Sequence, residues 1–299
     1  MAAICGSLIL SFMSNWKPSE QYQKVAEANR VFYAQNAAIY DSSETCVTDQ
    51  EGQKILERDI DRVLEATGKQ PSQIRALDAC GGSGNISLKL LRRGVNVTLA
   101  DISSELQGIF EKKCAEHGYE PTVVCSEIGR FIASGSEPFD LIVFSSALHH
   151  LENIDEVLTM AHRRLSPGGV LWSIFDPTAN ANKSVATRFV VRVEYFCFKL
   201  FCQTSDVPGA FIRKLKRFLS GAKASDKSKV DLDESTAGVL AEYHIEQGID
   251  DLALVERMKM VGYDVVFHDR LVGTRYGPTA VVIRLMGDVT TFKLLLRRR

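Results

Sequence analysis

Four short clusters in the 299-residue chain hold side chains that can do chemistry together. The first is Ala76-Leu77-Asp78-Ala79-Cys80-Gly81-Gly82-Ser83-Gly84-Asn85, an apolar run that ends in an acid and meets glycines before a helical pattern starts. Glycine at such a turn lets a ligand lie against the backbone. The free N–H groups of the following helix then meet the ligand's polar atoms. A dinucleotide would require G-x-G-x-x-G, and here Gly82-Ser83-Gly84 is followed by Asn85, Ile86 and Ser87, so the third glycine is missing. Asp78 would also repel a pyrophosphate, whereas it suits the cationic ammonium of a methionine moiety. The second cluster, Val97-Thr98-Leu99-Ala100-Asp101, ends in an acid about 20 residues beyond the turn, where a carboxylate can accept from both hydroxyls of a ribose. In the third, Cys125-Ser126-Glu127-Ile128, a carboxylate can receive the exocyclic amine of adenine. The fourth is Ser145-Ser146-Ala147-Leu148-His149-His150, whose neutral imidazoles can take a proton from a hydroxyl or an amine near pH 7. Adjacent histidines point in different directions and no third ligand accompanies them, so a metal site is not expected.

These clusters need strands and helices in alternation to bring them together, and the sequence supplies them. Short apolar runs at Arg75–Leu77, Val95–Ala100, Thr122–Cys125, Leu141–Phe144 and Val170–Ile174 alternate with helical patterns. The helical segments fall at Asn85–Arg93, Ser103–His117, Glu127–Ala133 and Ile154–Arg164. Continuous apolar strands separated by helices imply a parallel sheet covered on both faces, and right-handed crossovers favour a doubly wound order. Asp140 opens the fourth strand, and Ser166-Pro167-Gly168-Gly169 turns into the fifth. Ahead of this core, Val25–Tyr40 reads as a helix, and Gln53–Ala66 as a second with Ile55, Ile60, Val63 and Leu64 on its apolar stripe. Thr67-Gly68 and then Pro71 close that second helix. After Pro177 the alternation stops. Patterning resumes at Asp250–Met260, Val265–His268 and Ala280–Leu285, and the last stretch returns to the sheet as an antiparallel pair.

Bulk composition narrows the choice of partners. Lys plus Arg total 36 and Asp plus Glu total 37, a net charge of -1, which gives no electrostatic reason to expect nucleic acid. Seven cysteines, none in C-x-x-C spacing, read as reduced thiols of a cytoplasmic protein that pack in its core. The apolar start, Met1 to Phe12, lacks a basic flank and is far shorter than the roughly 20 residues of a membrane span.

The residues 75–175 resemble the core of class I S-adenosylmethionine-dependent methyltransferases, of the type-11/12 kind that act on small molecules and lipids. The pieces that carry the likeness are LDACGGSG, VTLADIS, CSEI, FDLIVFSSALHHL and LSPGGVL, in the family's order and spacing. The resemblance implies a Rossmann-like, doubly wound, mostly parallel sheet with helices on both faces. It implies N-terminal cap helices over 1–70, a cofactor-binding core over 71–176, a helical lid for the acceptor over 177–245, and completion of the sheet by 246–299. Asp78, Gly82 and Gly84 would surround the methionine part of S-adenosylmethionine, Asp101 would hold the ribose, and Glu127 with Ile128 would meet the adenine. Ala79, Cys80, Ile102 and Ser145 complete the expected cofactor contacts. Cys80 stands where the family usually has its first glycine, and Glu127 where aspartate is commoner. The segment Phe32–Asp41 is similar to the family's leading helix, so Tyr33 or Tyr40 would lid the sulfonium.

His150 matches the position that some small-molecule methyltransferases use as a general base. The expected reaction is methyl transfer to an oxygen or nitrogen of a small or amphipathic metabolite. C-methylation of a quinone- or lipid-like acceptor and a non-catalytic regulatory subunit are the alternatives. A nicotinamide oxidoreductase is disfavoured by the missing glycine. The aromatic run Arg188–Phe201 and the basic residues between Phe211 and Lys227 suggest a lid over an apolar acceptor with peripheral membrane contact. Packing on the domain, or in a homodimer, explains the same stripe. The terminal Arg297-Arg298-Arg299 reads as a solvated tail.

Overall fold

Nearly continuous burial along the inner strands marks a sheet covered on both faces. The computed structural model describes residues 16–44, 47, 50–179, 184–187, 189, 190, 192–194, 248–272 and 277–299. The strands are β1 (Arg75–Ala79), β2 (Asn96–Asp101), β3 (Thr122–Cys125), β4 (Phe139–Ser145), β5 (Leu165–Pro177), β6 (Tyr263–Leu271) and β7 (Thr291–Arg298). They form one sheet in the order β3-β2-β1-β4-β5-β7-β6. β1 to β5 are parallel throughout, while β7 runs antiparallel to both β5 and β6.

The helices are α1 (Glu20–Asn36), α2 (Gln50–Ala66), α3 (Asn85–Arg92), α4 (Ser104–His117), α5 (Ile128–Ser134), α6 (Ile154–Arg164), α7 (Asp251–Val261) and α8 (Gly277–Leu285). Because side chains alternate across a strand, each inner strand feeds two cores. Ile142 and Phe144 of β4 pack with Leu158 and Ala161 of α6 on one face. Leu141 and Val143 pack with Leu56, Ile60 and Val63 of α2 and Leu90 of α3 on the other. Helix ends are capped by their own sequence: Ser103 accepts from Leu106 N at α4, Asn153 from Glu156 N at α6, and Asp250 from Ala253 N at α7.

Three readings of the sequence change. α1 begins at Glu20, with Ser19 as its cap, and breaks at Ala37–Ile39 before the short turn Tyr40–Ser43. The antiparallel pair exists, but its second strand is Thr291–Arg298, and Ala280–Leu285 lies inside α8. The terminal arginines end that strand instead of forming a tail. Arg297 donates to the Ala66 carbonyl at 2.9 Å, and Arg298 donates to the carbonyl of Leu165. Residues 195–247, which contain most of the expected lid and its basic segment, lie outside the described residues, as do 1–15. Among the described residues no helix is long and apolar enough to cross a membrane.

The chain leaves β1 for β2 and β3 on one side, then returns to place β4 and β5 on the other. A crevice therefore opens between the carboxyl ends of β1 and β4, the place where such sheets bind ligands. All four chemical clusters end there.

Candidate active site

The crevice holds a pocket with about 690 Å³ of empty space, part of it open to solvent. Its floor comes from strand ends: Cys80 and Gly82 after β1, Asp101 and Ile102 at β2, Glu127 and Ile128 after β3, and Ser145 at β4. Its wall is α1, which presents Tyr22, Val25, Asn29 and Tyr33 at helical spacing along one face. Asp78, Ala79 and Gly84, also expected at the cofactor, do not line the pocket but support it from beneath.

Asp78 is 1% exposed. Its Oδ2 accepts from Ser87 N at 3.0 Å and Ser87 Oγ at 2.7 Å, while Oδ1 is buried with no partner. Burial pushes its pKa up to about 6, against the pull of the two Ser87 bonds. Gly84 opens α3 with φ of 82°, and a Cβ there would sit 2.0 Å from the Phe110 ring. Its glycine is thus required by packing as well as by backbone conformation. Cys80 takes a φ of 57°, the conformation a glycine would adopt without strain. Desolvation by burial, with the acids around it, raises its thiol well above the ordinary range, so it is not an activated thiolate.

Asp101 is buried and organises the loop around it. Its Oδ2 accepts from Gly82 N and its Oδ1 from Ser103 N, both at 2.8 Å. Burial raises its pKa, and these N–H bonds oppose the rise. Glu127 caps α5: Oε1 accepts from Gly129 N at 2.7 Å and Oε2 from Arg130 N at 2.8 Å. Oε1 also accepts from the Tyr22 hydroxyl at 2.5 Å, which fastens α1 over this end of the pocket. Each carboxylate oxygen can accept twice, so Oε2 retains room for one more donor. At the glycine end the turn Tyr40–Ser43 is fastened in turn. Asp41 accepts from the Ser83 hydroxyl and pairs with Lys113 at 2.6 Å, and Lys113 also donates to the Ser83 carbonyl.

His150 stands opposite the glycine turn, on the connection from β4 to α6. Its Nε2 lies 2.8 Å from the Tyr33 hydroxyl, and its carbonyl accepts from Asn29 Nδ2 at 3.2 Å. Tyr33 and Asn29 are four residues apart, so one face of α1 grips both the ring and the backbone of this residue. His149 points away from the pocket, 4% exposed, with Nδ1 2.9 Å from Asp176 Oδ1. Asp176 itself is fully buried at the end of β5 and also accepts from Ser173 Oγ at 3.0 Å.

Sequence reading missed Tyr22, Asn29 and Asp176. Tyr22 lay ahead of the expected helix start, and Asn29 carries no motif. Asp176 did leave a signal, an acid at the end of a buried strand directly before Pro177.

A sheet of this order, with an acid at the ends of β1 and β2 around a glycine turn, is a Rossmann-like fold. Residues 51–194, just under half of the chain, match the family described as "Methyltransferase domain". The tRNA 5-carboxymethoxyuridine methyltransferase of Escherichia coli K12 is 35% identical over 127 residues, which cover 41% of this chain and 47% of that protein. A ubiquinone/menaquinone biosynthesis C-methyltransferase of Zymomonas mobilis is 26% identical over 162 residues, 51% of this chain and 64% of that one. The chain thus spans between about half and two thirds of the length of these curated relatives. Among solved structures, magnesium protoporphyrin IX methyltransferase from Synechocystis PCC 6803, with S-adenosylhomocysteine bound, superposes with a TM-score of 0.53 at 14% identity. That superposition covers 92% of this chain and all of the other, and it shows a shared fold.

Proposed function

We propose that the protein transfers the methyl group of S-adenosylmethionine to an oxygen or nitrogen of a small or amphipathic acceptor. The observation that carries this reading is the convergence of Gly82, Asp101 and Glu127 on one pocket whose opposite wall carries His150. S-adenosylmethionine, when bound, supplies an electrophilic methyl on a sulfonium centre. The residues present fit it. Asp78 Oδ1 is a buried acceptor without a partner beneath the Cys80–Gly82 turn, suited to an ammonium. Asp101 can receive ribose hydroxyls, and the spare acceptor site of Glu127 can receive the adenine amine. Ile102, Leu106 and Ile128 offer apolar surface to the base.

On the acceptor side, α1 covers the crevice and excludes water, so that little beyond alignment is asked of the chain. A neutral hydroxyl must still lose its proton, and His150 is the group within the pocket able to take it near neutral pH. The names of the two relatives point to different acceptors, a modified tRNA nucleoside and a quinone carbon. Three carboxylates line the pocket, Asp101, Glu127 and Glu152. They favour an uncharged or cationic acceptor over an anionic one, and with the net charge of -1 they support a small molecule over nucleic acid.

Calorimetric titration with S-adenosylhomocysteine tests the cofactor half, with Asp101→Ala as control and melting curves to verify that the variant folds. Saturable binding that weakens at least tenfold in the control is expected, and absence of binding by folded wild type overturns the reading. Methylation assays with small hydroxyl, amine and quinone acceptors beside total tRNA then test the acceptor. Label appearing only in tRNA would overturn the small-molecule assignment.

A further inference from the structure

Tyr33 was expected over the sulfonium, yet its hydroxyl lies 2.8 Å from His150 Nε2 and its ring meets the imidazole edge-on at 5.4 Å between centroids. The His149 ring also lies against His150, tilted by 42° with the centroids 3.9 Å apart. His149 is itself held by the buried Asp176, which receives both its backbone N–H at 3.2 Å and its Nδ1 at 2.9 Å. His150 is thus contacted by a hydroxyl from α1 and by a neighbouring ring that a carboxylate of β5 anchors.

We propose that Tyr33, His150, His149 and Asp176 act as one proton-accepting unit, in which Tyr33 strengthens His150 as a base and the Asp176–His149 pair positions its ring. The inference rests on the methyl-transfer reading for its purpose, but not for its geometry. When His150 takes up a proton, Nε2–H donates to the Tyr33 oxygen, and that bond is charge-assisted. In the neutral ring the same two atoms share an ordinary hydrogen bond, whichever nitrogen carries the proton. Charge-assisted bonds are roughly twice as strong as neutral ones, so the hydroxyl favours the protonated imidazole. The Asp176 carboxylate, fully buried behind His149, acts in the same direction through its charge.

Other titratable groups face the same pocket. Tyr22 and Tyr40 come from the N-terminal elements, Cys80 follows β1, Asp101 and Glu127 follow β2 and β3, and Glu152 lies beyond β4. Tyr40 meets the Tyr33 ring with centroids 5.9 Å apart, and substitutions at Tyr33 and Asp176 leave all of these groups in place. Tyr33 and the Asp176–His149 pair are positioning residues, with no demand that they touch the acceptor.

The test is the titration of His150 itself, followed by NMR on protein labelled at histidine 13Cε1, with the resonance assigned from its loss in His150→Gln. Tyr33→Phe should lower the His150 midpoint by about 0.5–1 pH unit while leaving the His162 resonance in place. Asp176→Asn should lower it as well. Should that variant fail to fold, Tyr33→Phe alone decides. A midpoint that stays put or rises in Tyr33→Phe overturns the proposal. Affinity for S-adenosylhomocysteine, measured on the same samples, separates the two ideas. Intact binding with an unmoved midpoint removes the unit and keeps the methyltransferase, whereas lost wild-type binding with a lowered midpoint does the reverse.

Discussion

Asp78 offers the sharpest handle on the site, because it is a buried carboxylate with one oxygen unpartnered. Its pKa rises from the ordinary 3.8 to about 6 in the folded protein. A carboxyl whose folded pKa is raised contributes its stability at low pH, and the contribution is lost as pH climbs through the folded value. Full loss corresponds to about 3 kcal/mol, at 1.36 kcal/mol per unit. About half of it is already gone by pH 5, so the loss between pH 5 and pH 8 is about 1–2 kcal/mol. Asp78→Asn keeps an oxygen for the two Ser87 bonds and cannot ionise. Its unpartnered amide adds a cost of about 1–3 kcal/mol that does not vary with pH. The stability of the variant relative to wild type should therefore improve by about 1–2 kcal/mol from pH 5 to pH 8, or about 2–5 °C in melting temperature. Parallel thermal melts at half-unit steps of pH measure it. A difference that stays flat across that range would show that Asp78 is not raised, and the account of its burial would fall with it. Saturating S-adenosylhomocysteine should shrink the wild-type loss, since an ammonium at the free oxygen stabilises the ionised form.

Four further substitutions probe the supports. Cys80→Gly relieves the left-handed backbone at the cost of added chain entropy, so equilibrium unfolding should show a gain of about 0.5–1 kcal/mol; a loss would mean the thiol's packing outweighs the strain. Gly84→Ala drives a methyl into Phe110 and strains φ, and should cost about 2–4 kcal/mol in denaturant melts; a neutral outcome would contradict the close approach. Lys293 of β7 pairs with Asp59 of α2 at 2.6 Å with both side chains buried. Lys293→Met alone should cost about 3–5 kcal/mol, and adding Asp59→Leu should recover most of it; a double variant no better than the single would show that Asp59 is already satisfied by other partners.

Much of the core was legible because its signals are local. An apolar run ending in Asp78, a glycine turn and a helix start lie within a dozen residues, and a strand end, an acid and a capped helix follow one another again at Asp101 and Glu127. The C-terminal strands were harder to read. Val281, Val282 and Ile283 are β-branched and look like a strand, yet only Ile283 is buried, and the segment coils as α8. The true last strand hides its pattern behind the terminal arginines, and Lys293 sits inward where Asp59, far away in sequence, and Asp269 receive it. The Asp176–His149 contact was equally invisible, since the two residues meet only once β4 and β5 are side by side. Which oxygen of Glu127 is spoken for depends on Tyr22, a helix away.

The placement of β7 between β5 and β6 also bears on how the molecule is made. Pro177 of β5 finds its partner in Thr291, and β6 pairs with nothing in the sheet except β7. Until 291–298 insert, both neighbours present open edges rich in buried-type residues, and such edges recruit strands from other chains. The closing step also joins segments distant in sequence, which makes it slow relative to the local βαβ pairing that precedes it. Folding intermediates of this chain should therefore be competent at the glycine turn and incomplete at the far edge. Conditions that delay that last insertion should be seen first as aggregation rather than as loss of cofactor binding.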